Sequence, residues 1–229
     1  IKMAADKGNT EAMFEYFYIL FNNEIESNQN EMLKYLKMAA DNGNINSMYI
    51  YGIYFFNSSE SINYIKKAAD LGHEYAMTMY GHLLMKEGQI EANKKEAAKY
   101  FKKSADLLNS ESMLEYGKML IDGNGIPKNI EEGVRYIKRS ADQGYVNSML
   151  LYAALLFDGD KIPTDKKEAA RYFKMAANQK NGRAAYYYAR MLYYGNGVPL
   201  NKRKAQKYFK IGGLNGFPLS LFYYSLTLI

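Results

Sequence analysis

Tyr35-Leu36-Lys37-Met38-Ala39-Ala40-Asp41 is the stretch that decides the fold, because it keeps coming back. It returns as Tyr64-Ile65-Lys66…Ala68-Ala69-Asp70, Tyr100-Phe101-Lys102…Ser104-Ala105-Asp106 and Tyr136-Ile137-Lys138…Ser140-Ala141-Asp142. Two further copies follow, Tyr172-Phe173-Lys174…Ala176-Ala177-Asn178 and Tyr208-Phe209-Lys210…Gly212-Gly213. The tyrosines stand 29, 36, 36, 36 and 36 residues apart. A fixed period of this length belongs to stacked repeats, each a small unit that buries its apolar face only against its neighbours.

One full period shows what the unit is. In Ser112–Ile121 the residues Met113, Tyr116, Gly117 and Leu120 fall at offsets of three, four and seven, one face of a helix. Asp122-Gly123-Asn124-Gly125-Ile126-Pro127 breaks it, since Gly supplies left-handed backbone and Pro cannot continue a helix. A second helix runs from about Ile130 to Asp142, with Gly133, Tyr136, Ile137, Ser140 and Ala141 inward. Each repeat is therefore a pair, helix A then helix B. The expected pairs are about 10–41, 44–71, 74–108, 110–143, 146–179 and 182–213, with a partial repeat at 217–229 and the tail of another at Ile1–Ala4. The fold class is all-α, a solenoid of about six helix-turn-helix repeats, read as one domain over 1–229.

Helix A carries its own marker tyrosine: Tyr16, Tyr51, Tyr80, Tyr116, Tyr152, Tyr188 and Tyr224. The next residue is small in every copy but the first, where Phe17 stands, and the residue four before is always Ala or Ser. Small residues at fixed offsets let helix backbones approach, so both tyrosine series are expected in the core. Lys2, Lys37, Lys66, Lys102, Lys138, Lys174 and Lys210 recur once per repeat and read as a solvated outer face. The Asp ending helix B sits where the helix dipole disfavours an anion. Loops vary most: Asn57-Ser58-Ser59 is seven residues short and accounts for the spacing of 29, and Glu87-Gly88-Gln89-Ile90 lacks the Pro.

Composition excludes several functions. Cysteine is absent, which removes disulfides and thiolate metal sites and favours a reducing, cytoplasmic setting. No apolar run reaches the length of a membrane span. The glycine loops are followed by Pro and flanked by helices, unlike a phosphate loop, which needs a Lys and Ser or Thr opening a helix from a strand. His73 and His82 are the two histidines, expected as a capping residue and an exposed or groove residue; no metal site is expected. With no Cys and two histidines, nucleophile–base catalysis lacks its usual players, so neither enzyme activity nor a cofactor is expected. Ile1 and Ile229 both fall inside repeats, which reads as a piece of a longer protein with apolar ends able to stack end to end.

The string Ser112…Tyr116-Gly117…Leu120…Gly123-Asn124-Gly125-Ile126-Pro127…Glu132-Gly133…Tyr136-Ile137-Lys138…Ala141-Asp142-Gln143-Gly144 resembles a Sel-1-like repeat, and Ala184…Tyr188-Ala189…Gly195-Asn196-Gly197-Val198-Pro199…Tyr208-Phe209-Lys210 resembles it too. The resemblance covers essentially the whole chain. It departs from the family in having Tyr116 and Leu120 where Leu and Tyr are usual, and Tyr for the helix B Trp. It implies a right-handed superhelix related to tetratricopeptide stacks, serving as an adaptor or scaffold for protein complexes. It further implies that helix A lines the concave face, with the ligand meeting positions two before, two after and five after the helix A tyrosine. Those positions include Phe14, Tyr18, Tyr49, Ile53, His82, Leu114, Lys118, Leu150, Tyr186, Arg190 and Tyr193, and Arg183 joins them as a basic neighbour. A mostly apolar and aromatic stripe with a few cations suits an extended protein segment or helix. Two alternatives stand beside it: an RNA-binding helical repeat protein, or the regulatory repeat region of a larger signalling enzyme. Phe14, Tyr49, Thr78, Leu114, Leu150 and Tyr186 form no base-reading code, which argues against nucleic acid.

Overall fold

The computed structural model describes residues 1–22, 29–56, 58–86 and 93–228; Asn57 and the Glu87–Ile90 loop discussed above lie outside them. Among the described residues the chain is helical throughout, an all-α repeat solenoid with no strand. It divides into two compact units, Ile1–Asn109 and Ser110–Ile229. The first holds α1 (Lys2–Asp6), α2 (Thr10–Asn22), α3 (Gln29–Asp41), α4 (Ile45–Tyr54), α5 (Ser59–Asp70), α6 (Glu74–Met85) and α7 (Lys94–Asp106). The second holds α8 (Ser110–Asp122), α9 (Ile130–Asp142), α10 (Val146–Asp158), α11 (Lys166–Asn178), α12 (Gly182–Tyr194), α13 (Lys202–Leu214) and α14 (Pro218–Leu226). Even-numbered helices are the A helices, and the odd ones from α3 on are their B partners.

Within a repeat, A and B meet through the two marker tyrosines. Tyr16–Tyr35, Tyr51–Tyr64, Tyr80–Tyr100, Tyr116–Tyr136, Tyr152–Tyr172 and Tyr188–Tyr208 all pack edge to face, with ring centroids 4.7 to 5.1 Å apart. Such pairs contribute about 0.5–1.5 kcal/mol each beyond their buried area. The backbones approach closely where α8 crosses α9. A Cβ on Gly117 would lie 2.8 Å from the Gly133 carbonyl oxygen, and one on Gly133 would lie 2.6 Å from that of Gly117, so neither position tolerates a side chain.

From B to the next A the chain makes one turn, used seven times. In α9 the amide of Gly144 donates to Ala141 O at 3.0 Å and that of Tyr145 to Ser140 O at 3.2 Å. This paired arrangement needs a left-handed residue at the turn. Gly supplies it in five copies, while Leu108 and Lys180 adopt positive φ without being glycine.

The Asp that the helix dipole disfavours has a partner one repeat on. The hydroxyl of the next B-helix tyrosine donates to it: Tyr35 to Asp6, Tyr64 to Asp41, Tyr100 to Asp70 (2.5 Å) and Tyr172 to Asp142. The marker lysine often joins, since Lys66, Lys102 and Lys138 pair with the Asp four residues later at 3.2, 2.8 and 2.6 Å. These three lysines are thus outward, about half exposed and ion-paired. Burial pushes the Asp70 and Asp142 carboxyls up, but the tyrosine hydroxyl and the lysine together outweigh it and hold both below the usual range. The tyrosines shift the other way. The bond to Asp6, then burial, lifts Tyr35 to about 12; burial, then the bond to Asp41, lifts Tyr64 to about 12. The ladder stops at α13: Asn178 replaces the Asp, and Tyr208 has no such acceptor among the described residues.

Candidate partner-binding groove

Unit 2 carries a groove of about 580 Å³ across the A helices α8, α10 and α12. Its floor is apolar, including Leu114, Leu150, Leu151, Ala154, Phe157, Phe173 and Met191. Its rim is polar and aromatic, with Glu111, Glu115 and Lys118 from α8, Asn147 and Asp158 from α10, and Arg183, Tyr187, Arg190 and Tyr194 from α12. Counted from each helix A tyrosine, lining residues recur at positions five before, one before, two after and six after. On α12 that reads Arg183, Tyr187, Arg190 and Tyr194, and on α10 Asn147, Leu151, Ala154 and Asp158. The steps of four, three and four follow one helical face.

Of the residues picked from the sequence, the structure gathers Leu114, Lys118, Leu150, Arg183 and Arg190 here. Lys118 Nζ pairs with Glu115 Oε1 at 2.7 Å, and the Arg190 guanidinium lies 5.7 Å from the Tyr186 ring centroid. Tyr186 itself, expected to face a partner, is 4% exposed and packs on Phe217 at 5.1 Å and Tyr223 at 5.4 Å. Tyr193 lies outside the groove, half-buried against Tyr194 and Phe209. Phe14, Tyr18, Tyr49, Ile53 and His82 belong to unit 1. There Tyr18 and Ile53 are exposed, Phe14 is half-buried against Tyr18, and His82 packs edge-on to Phe101 at 5.1 Å.

Tyr49 packs at a tilt on His73, 4.4 Å between ring centroids, as Tyr186 does on Phe217. Both partners are N-cap residues of the next A helix. In these two repeats the residue two before the tyrosine meets the following repeat, which buries Tyr186 and half-buries Tyr49, whereas Leu114 and Leu150 at the same position line the groove. The residues that sequence reasoning missed, such as Tyr187 and Glu115, sit one step round the helix. The local signal for them is their lack of repetition: Glu115, Leu151 and Tyr187 occupy one repeat position.

Tyr145, the N-cap residue of α10, also lines the groove. Four equivalent residues cap their A helices by accepting an amide N–H: Asn9 from Ala12, Asn44 from Ser47, His73 Nδ1 from Ala76 at 3.2 Å, and Asn181 from Ala184, whereas Phe217 at the same position of α14 makes no cap bond and packs on Tyr186. Tyr145 makes no such bond and lines the groove instead. Losing a cap costs about 0.5–2 kcal/mol. Burial and nearby Glu111 push its phenol up, so it stays neutral and able to donate.

Elsewhere, α14 leaves Leu219, Leu221, Phe222 and Leu226 exposed. Among the described residues no His/Asp/Glu cluster could hold a metal, and no helix is long and apolar enough to cross a membrane.

The Sel1 repeat profile matches this chain at residues 10–44, 47–73, 74–107, 110–145, 146–181 and 182–217. No curated protein matches it in sequence. Among solved structures, it superposes on a protective antigen of uropathogenic Escherichia coli with an SLR fold at a TM-score of 0.90 and 20% identity, covering 97% of this chain and 50% of that one. A Sel1 repeat protein from Oxalobacter formigenes gives 0.86 at 20% identity, covering 97% and 67%. A sel1 repeat protein from Klebsiella pneumoniae gives 0.54 at 19% identity, covering 85% and 98%. The chain thus spans half the length of the Escherichia coli antigen, and at these identities the likeness is one of fold.

Proposed function

The chain belongs to the Sel1 repeat family, whose members are in general protein–protein interaction scaffolds, and from that premise we propose that it is a non-catalytic scaffold holding a partner segment in the unit 2 groove. The observation that carries this reading is Tyr145, where a helix cap is given up for a groove-lining aromatic. The apolar floor would supply most of the affinity by burial, and the rim its orientation. A photo-crosslinking residue tests it. Placed at Tyr187, it should trap partner protein in cells; placed at exposed Lys174 on α11, it should not. Equal trapping at both positions, or trapping at Lys174 alone, would sink the assignment.

The exposed apolar residues of α14 favour self-association as a second contact. Sedimentation that stays monomeric at high concentration would remove it.

A further inference from the structure

The groove has an electrical direction. Its first row, five residues before each helix A tyrosine, reads Glu111 on α8, Asn147 on α10 and Arg183 on α12. An acid, a neutral amide and a base thus cross the three helices in order. The acidic end is reinforced by Glu115 and the basic end by Arg190. Lys118 is paired with Glu115, and two carboxylates against one ammonium leave this end net negative. Neither Arg183 nor Arg190 has an ion-pair partner among the described residues. Both stay exposed at the end of an apolar trough, where a carboxylate would be bound partly out of water and more strongly than on a flat surface.

Size fixes the rest of the occupant. Neighbouring helices pack about 8–10 Å apart, so the row from α8 to α12 is roughly 20 Å long. An extended chain covers that in about six residues at roughly 3.4 Å each. Its side chains alternate, so those facing inward would meet Leu114, Leu150, Leu151 and Phe157. The Asn147 side-chain amide in the groove lining has two donors and an acceptor with which to bond the peptide main chain midway.

Resting on the groove reading above, we propose that the ligand is an extended peptide segment of about six residues with a carboxylate at one end, a basic side chain at the other and apolar side chains between. The carboxylate docks on Arg183 and Arg190 and the basic group on Glu111 and Glu115. An acidic side chain and a free C-terminus share that chemistry.

The test is selection of random heptapeptides displayed on phage against the whole chain, followed by synthesis of the winners. Winners should carry Asp or Glu and Lys or Arg about five residues apart around apolar positions. Arg183→Glu with Arg190→Glu should weaken them at least about tenfold and prefer copies with Lys in place of the acid. Resynthesis with the acid replaced by Gln, and either a free or an amidated C-terminus, separates the two carboxylate sources. Ala154→Arg, which fills the trough, should abolish binding while the melting temperature holds. If Ala154→Arg abolishes binding but the charge reversal leaves preference unchanged, the polarity inference falls and the groove stands. Selected peptides that bind Ala154→Arg normally overturn the groove itself, and a selection without winners overturns both.

Discussion

The B helices and the A-helix groove of unit 2 are built from the same repeats under opposite rules. Along the B helices the marker positions recur: tyrosine against tyrosine throughout and, up to α11, tyrosine hydroxyl to the preceding Asp, with lysine to Asp in three copies. Along the groove's rim the chemistry of a repeat position changes from one helix to the next, as in Glu111, Asn147 and Arg183. Repetition marks residues that hold neighbours together, since every repeat faces the same neighbour. Variation marks residues that face something which is not a repeat.

The largest effect that would test this division is in the ladder. Tyr172 is fully buried, so Tyr172→Ala should cost about 3–5 kcal/mol in urea unfolding. Tyr172→Phe keeps the ring and removes only the donation to Asp142, and should cost about 1–2 kcal/mol. Equal losses would mean that the hydroxyl, not the ring, dominates.

Tyr145→Asn should run the other way. It restores the cap seen at Asn44 and Asn181, raising stability by about 0.5–1 kcal/mol while weakening the peptides selected above. A variant that gains stability and keeps full binding would end the case for Tyr145 as a recognition residue. Smaller still is Ser47→Ala. Ser47 Oγ is buried with no hydrogen-bond partner among the described residues, and Ala76 and Ala184 fill the equivalent position. Melting should show no loss and a gain of up to about 1 kcal/mol.

The mildest effect is a pH slope. Burial, only partly opposed by Glu74, holds the His73 imidazole below its usual range. As pH falls the unfolded chain takes up the proton first, so this contribution is whole above about pH 6.5 and is lost as pH falls through the folded-state value. Melts between pH 7.5 and 5 should show it. His73→Asn should keep the cap and flatten the slope; an unchanged slope would assign it to other groups.

The sequence carried the fold because the period, the small residues and the loop glycines all describe contacts between adjacent helices. The groove was half legible. Repeat position located the A helices, but which side of each stays open depends on how the next repeat sits over it. His73 covers Tyr49 and Phe217 covers Tyr186, and neither is visible from helix periodicity. The recurring Asp was opaque for the same reason: its partner is about one repeat away, and its own helix offers only an unfavourable dipole.

The ladder also gives the chain a mechanical grain. Every rung in unit 1 runs backward, from Tyr35 to Asp6, Tyr64 to Asp41 and Tyr100 to Asp70. Pulled from its C-terminal side, such a stack loads one rung at a time, because each repeat holds only its neighbours. It would yield as a ratchet of discrete extensions, each releasing roughly 3.4 Å per residue. The tyrosine spacings of 29 and 36 make the steps unequal, so the short second repeat would be readable in a stretching trace as its own tooth.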